Sequence, residues 1–150
     1  MIISQQATEA AVTSLTYPGT PESVPAVRRF VRAILGHSPR VDDLELIAAE
    51  LATNAIRHTP SGQDGGTFTI TIMQGPGRAW LEVTDLGTVP WRPAHPNGDG
   101  IAEHGRGLEI VAALADEVGY GVTAGYNTIS WAGLSWLPGR AWAWLPACHA

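Results

Sequence analysis

Apolar residues in this 150-residue chain recur with two different periods, and each change of period marks an element boundary. Val24, Val27, Phe30, Val31, Ile34 and Leu35 fall at helical spacing behind the helix-start cluster Thr20-Pro21-Glu22-Ser23, and Gly36 closes the run. Asp42 opens a second predicted helix with Glu45 as its capping partner, and Leu44, Ile47, Ala48, Leu51 and Ala55 form its apolar stripe. That helix should end near Thr59-Pro60, because the residue before a proline is pushed out of the helical region. The period then drops to two. Phe68, Ile70 and Ile72 share one face of Thr67–Met73, and Leu81 and Val83 share one face of Arg78–Thr84. Gly75-Pro76-Gly77 between them predicts a hairpin turn. Gly105-Arg106-Gly107 is expected to open a third helix with Leu108, Val111, Leu114, Ala115 and Val118 inside. Tyr120–Thr123 and Thr128–Leu134 read as a second hairpin, and the extended lead-in over 1–19 includes a strand around Ala11–Tyr17. The order helix, helix, hairpin, loop, helix, hairpin predicts an α+β two-layer sandwich, with helices on one face of a mixed, mainly antiparallel sheet.

Two segments depart from this patterning. Thr88 to His104 carries Pro90, Pro93, Pro96, Gly98 and Gly100, and a connection of that length in a small domain is usually functional or disordered. It is expected to behave as a lid, mobile without ligand and partly ordered with it. The tail 135–150 is rich in Trp and Pro and has no period. Trp136, Trp142 and Trp144 there are too many for a solvated tail, and predict packing on the chain itself, cover of a sheet face or a homodimer contact. Trp80 has outward parity with Glu82 and Thr84 on its predicted strand. The chain reads as a single domain over 1–150, with its core at about 20–134.

Composition narrows the chemistry. The net charge of −5 argues against nucleic acid as the main partner, since phosphate neutralisation requires a basic face. One cysteine, Cys148, excludes an internal disulfide framework and a cysteine-rich zinc site. All nine basic residues are Arg, so there is no P-loop lysine and no Schiff-base chemistry. No stretch reaches the ~20 apolar residues of a membrane span, and the first residues lack the pattern of a signal peptide. A soluble, cytoplasmic protein is the expectation.

Three places carry candidate chemistry. Glu50 and Asn54 lie one helical turn apart on one face, beside the apolar stripe at Leu51. A carboxylate and an amide oxygen so placed can hold a hydrated divalent cation; alone, such a pair is an ordinary solvated helix face. Asp85 shares the parity of Leu81 and Val83 and so points into the core layer, with Gly87 two residues on. A carboxylate there accepts a hydrogen bond from an exocyclic amine such as that of adenine, while the ordinary alternative is a turn-initiating Asp. Gly105-Arg106-Gly107-Leu108 has the composition of an anion-binding helix start: free backbone N–H groups, room at the glycines and a permanent positive charge.

Taken in order, these three elements resemble the GHKL ATPase superfamily of histidine-kinase catalytic domains and gyrase-type ATPases. Glu50-Leu51-Ala52-Thr53-Asn54-Ala55-Ile56-Arg57-His58 looks like its N box, Asp85-Leu86-Gly87 like its first glycine box, and His104-Gly105-Arg106-Gly107-Leu108 like its second. The wording of the N box and of the stretch from Glu103 to Asp116 is most similar to stand-alone anti-sigma-factor serine/threonine kinases and the related ATP-binding regulators of actinomycetes. The resemblance covers roughly Thr20 to Leu134 and implies the Bergerat-type ATP-binding fold, with ATP and Mg²⁺ as cofactors. It further implies that Glu50 is the general base or positions a water, that Asn54 coordinates Mg²⁺, that Asp85 reads the adenine amine and that Gly87 keeps the pocket open. Arg106 and the amides of Gly105, Gly107 and Leu108 would meet the phosphates, and Thr128 corresponds to a threonine near adenine. The implied partners are an anti-anti-sigma-like antagonist protein, phosphorylated on Ser or Thr, and a sigma factor. Two departures stand out: Val89 replaces the usual second glycine of the first box, and the lid is short and rich in proline. They keep a second reading open, a module that holds or has lost nucleotide and acts by sequestering its partner. A third is an α+β domain with no nucleotide site.

Overall fold

The computed structural model describes residues 11–87 and 102–137, with side chains described from Gly107 onward in the last helix. Five strands form one sheet: β1 (Ala11–Pro18), β2 (Thr67–Gly75), β3 (Arg78–Asp85), β4 (Glu117–Val122) and β5 (Thr128–Ser135). Their spatial order is β1-β2-β3-β5-β4, and every described pairing is antiparallel. Three α-helices, α1 (Ser23–Leu35), α2 (Val41–His58) and α3 (Ala102–Leu114), and a short 3-10 turn are the other described elements. The expected α+β sandwich is therefore present. One core joins Val27, Val31 and Leu35 of α1, Leu44, Ile47 and Leu51 of α2, and the inward rows of β2, β3 and β5. Phe68, Ile70, Ile72, Leu81, Val83 and Leu134 supply those rows, each at most 1% exposed. Burying each such side chain is worth roughly 1.5–3 kcal/mol, so the core specifies which faces meet.

The structure corrects the expected caps. α2 starts at Val41 behind Arg40, with no side-chain cap, and the Asp42–Glu45 pair does other work. Both carboxylates bind the Arg32 guanidinium of α1, Asp42 at 2.6 Å and Glu45 through the same Nη2, clamping the two helices together. Arg40 in turn donates from Nη2 to the Leu114 carbonyl at 2.6 Å, which satisfies one of the open carbonyls at the end of α3.

The third helix also differs from expectation. It begins at Ala102, ahead of the glycine motif, and stops at Leu114. Gly105 to Leu108 thus lie in its first two turns, not at its opening. Val118, expected inside this helix, lies on β4 and is 48% exposed. The change of structure is set by the chain at Asp116. Its N–H donates to the Gly133 carbonyl of β5, and its Oδ2 accepts from the Ser135 N–H at 2.7 Å and the Ser135 hydroxyl at 3.0 Å. Sheet bonding outcompetes another helical turn. No described helix is long and apolar enough to cross a membrane.

Candidate nucleotide site

The first half of the site is built where β3 and β5 run side by side. The register pairs Asp85 with Thr128, and both are nearly inaccessible, at 5% and 2% exposure. Inward parity thus places a carboxylate and a hydroxyl together at the end of the sheet. Asp85 Oδ1 accepts from the Gly87 N–H at 2.7 Å, and the Thr128 backbone N–H also donates to the carboxylate. The Thr128 hydroxyl donates to the Gly87 carbonyl at 3.1 Å, closing a ring of three residues. Gly87 is required here by close approach. A Cβ on it would lie 2.7 Å from Asp85 Oδ1, 3.0 Å from Thr128 Oγ1 and 3.2 Å from the Thr59 methyl.

Burial raises the Asp85 pKa from 3.8 to about 6; desolvation is the main cause and the two backbone N–H donors oppose it. An ionised carboxylate has room for about four hydrogen bonds, and two are supplied by the described residues. The remaining capacity is acceptor capacity, suited to an amine donor.

Sequence reasoning missed the residues that hold this ring in place. Ser61 is 0% exposed and its hydroxyl accepts from the Leu86 N–H at 2.8 Å, tying the loop after α2 to the loop after β3. Thr59 Oγ1 donates to the Ala55 carbonyl at 2.6 Å and accepts from the Ser61 N–H at 3.1 Å. The stretch Thr59-Pro60-Ser61-Gly62 reads in sequence only as a turn, since a Ser that anchors a distant loop has no periodic signal. Its one local mark is the Pro that ends α2 and starts a short 3-10 turn over Pro60–Gly62.

The second half of the site lies between α2 and α3. Glu50 is half-buried, and its carboxylate sits against Gly107: a Cβ there would come within 2.3 Å of Glu50 Oε2. Glu50 of α2 and Gly107 of α3 are therefore brought together. One turn beyond Glu50, the Asn54 side-chain nitrogen is buried and has no hydrogen-bond partner among the described residues. A buried amide N–H₂ without a partner calls for an acceptor oxygen, such as that of a phosphate or a water. Its carbonyl oxygen is the hard donor that Mg²⁺ prefers. Among the described residues no three His, Cys, Asp or Glu converge on a metal cage. A single amide oxygen suits an ion that keeps its waters and is carried by phosphates. Leu108 packs against the core from α3. The side chain of Arg106, together with Val89 and the lid as far as residue 101, lies outside the described residues.

Comparison with known proteins gives the same picture. Residues 17–131 match the family described as histidine kinase-like ATPase domain. The chain is 28% identical, over 118 residues, to the serine-protein kinase RsbW of Bacillus pumilus (strain SAFR-032), covering 67% of this chain and 72% of that protein.

Proposed function

Since this chain belongs to the histidine kinase-like ATPase domain family, we propose that it is an ATP-binding regulator that phosphorylates a Ser or Thr of a small antagonist protein. The observation that carries the reading is the buried Asp85–Gly87–Thr128 ring. It leaves carboxylate acceptor capacity at a glycine-lined strand end, and so supports an adenine subsite. In this reading Asp85 accepts from the adenine amine and Thr128 orients the ring that presents it. Asn54 offers its Oδ1 to Mg²⁺, which when bound neutralises charge on the phosphates. Glu50 takes the proton of the attacking hydroxyl as the γ-phosphorus–oxygen bond forms and ADP leaves. Gly105, Arg106, Gly107 and Leu108 receive the phosphates. Because α3 begins at Ala102, that role requires its first turn to reopen so that the amides of the glycine motif become available. The partners of this activity would be an anti-anti-sigma-like antagonist and a sigma factor, the latter held by a separate surface. The likeness to a protein named serine-protein kinase RsbW supports this assignment.

A second reading is favoured by the contact of Glu50 with Gly107 and by Val89 at the place of a glycine. It is a nucleotide-holding module that sequesters its partner without transferring phosphate. Titration of the protein with ATP, with and without Mg²⁺, tests the shared claim. Incubation with γ-labelled ATP and candidate antagonists then separates the two, since label on the antagonist that is lost in Glu50→Gln establishes the kinase. Nucleotide binding without transfer establishes the module, and absence of binding overturns both.

A further inference from the structure

β1 is an edge strand without the devices that keep other strands away. Among the described residues it pairs with β2 alone, and the register from Ala11↔Gln74 to Pro18↔Thr67 runs without a break. Its sequence, AVTSLTYP, carries no charge and has proline only at its last position. Folded proteins protect long edges with charge, an internal proline, a bulge or a cover, because the outward N–H and C=O groups are a template for pairing. The other edge, β4, is shorter and holds Glu117, Gly119 and Gly121, which charge and weaken it. The covered layer also stops short at β1. Leu15 stands in the inward row, opposite Ile70, but is 46% exposed where Ile70 is 1% exposed. Tyr17, in the same row, stacks on Phe68 with ring centroids 5.8 Å apart, so the apolar layer extends onto the edge strand.

We propose that β1 pairs antiparallel with β1 of a second copy of this chain, giving a two-fold dimer whose sheet runs continuously through both copies. The strand itself selects this occupant. A two-fold axis normal to the sheet keeps inward side chains inward, so residues of equal parity must face each other. Putting Leu15 on the axis sets it against its own symmetry mate and aligns Thr13 with Tyr17. On the outer face the same register aligns Val12 with Pro18 and Ser14 with Thr16. The two half-exposed leucines then cover each other and carry the inward row across the axis, and Val12, 60% exposed, gains an apolar neighbour. The Ser14 and Thr16 hydroxyls already bond across to Thr71 and Thr69, at 2.9 and 2.8 Å, so the hydroxyl rows of the outer face match as well. Charge also favours a copy. A two-fold brings residues near the axis close to their own mates, where like charges repel, and β1 carries none. A partner recognised by its charge finds nothing on this strand to read. The seam over Val12–Pro18 measures about 23 Å by the ~10 Å thickness of a sheet layer, well below the ~800 Å² per partner of a standard interface. The dimer is therefore reversible and concentration-dependent.

The test uses the full chain without nucleotide, so it holds or fails whatever the protein binds. Sedimentation equilibrium from about 10 μM to 1 mM should show the mass rising from monomer towards dimer, as an interface of this size requires. Leu15→Arg sets two cations face to face at the axis and should weaken association by ~100-fold. Its melting temperature at low concentration should stay that of the wild type, because the side chain is half exposed. Cross-linking reads the register. With Cys148, the single cysteine, replaced by Ser, Leu15→Cys should oxidise to a covalent dimer, since directly opposed Cβ atoms lie ~5 Å apart. Val12→Cys in the same background should not, because Val12 and its mate are offset by the length of Val12–Pro18, ~20 Å. A monomer at every concentration would overturn the proposal. So would a dimer that Leu15→Arg leaves intact, equal cross-linking at Val12 and Leu15, or a covalent dimer from Tyr120→Cys on β4 in place of Leu15→Cys.

Discussion

Asp85 and Thr128 are cross-strand partners at the end of β3 and β5, and each is joined to Gly87, one through its carboxylate and the other through its hydroxyl. The pair is 43 residues apart in sequence, and neither is informative without the other. Together they form a buried polar ring in which every donor has an acceptor and the carboxylate has capacity to spare. Such a ring costs stability when empty, because desolvation disfavours the ionised acid.

Asp85→Asn should therefore stabilise the empty protein at neutral pH while weakening ATP binding by ~10–100-fold, the loss of a charge-assisted hydrogen bond. The sign follows from linkage. The Asp85 pKa is raised to about 6 in the fold, so the folded state binds the extra proton between that value and the ordinary 3.8. Its contribution to stability is fully present below 3.8 and is lost as pH rises through about 6. Above pH 6 the variant should be more stable by about 1–2 kcal/mol, allowing for solvent screening, and the gain should shrink towards pH 4. Thermal denaturation of both proteins across that range checks this.

Nucleotide affinity should follow the same group in the opposite direction. A protonated Asp85 loses acceptor capacity, so binding should weaken as pH falls through about 6 in the wild type. In Asp85→Asn that component should disappear. Titrations with adenosine, which has no phosphate to titrate, give the comparison directly.

Asn54→Ala should abolish the Mg²⁺ dependence of nucleotide binding and leave the melting temperature unchanged or slightly raised. The buried side-chain nitrogen has no partner among the described residues to lose, so truncation removes an unsatisfied donor. Calorimetric titration with and without Mg²⁺, beside a melting curve, reads both effects.

Gly107→Ala should couple to Glu50. In a helix the change to Ala alone gains up to about 1 kcal/mol. Here the new methyl meets Glu50 Oε2, and the acid must move away. The variant should be neutral or destabilised in the wild-type background and stabilised with Glu50→Ala. A double-mutant cycle by chemical denaturation gives the coupling energy.

Ser61→Ala should cost about 1–2 kcal/mol, because the Leu86 N–H is left without its acceptor beside a fully buried site. Ser61 is not among the residues proposed to contact nucleotide, so its effect on adenosine affinity reports how far the ring depends on a fixed loop. A loss of stability with a parallel loss of affinity identifies it as a positioning residue. Equal affinity would confine it to the fold.

How much was legible in advance depended on the range of the interactions concerned. The stripe of α2, the β2–β3 hairpin, the inward parity of Asp85 and the Glu50–Asn54 pair all follow from local period, and the structure has each of them. The cap of α2 and the end of α3 differ from expectation because local rules lost to tertiary ones. Asp42 and Glu45 satisfy their charge on Arg32 of a neighbouring helix, and Asp116 ends α3 by bonding to β5.

The sequence by itself determined the fold class, the shared helix face of Glu50 and Asn54 and the side of the sheet on which Asp85 sits, because alternation and helical spacing depend only on covalent geometry. The tertiary structure alone decided that Thr128 is the partner of Asp85, that Ser61 holds the loop between them and that Gly107 rests on Glu50. Those contacts join residues 25 to 57 positions apart, and only the burial of one common core sets the register that brings them together.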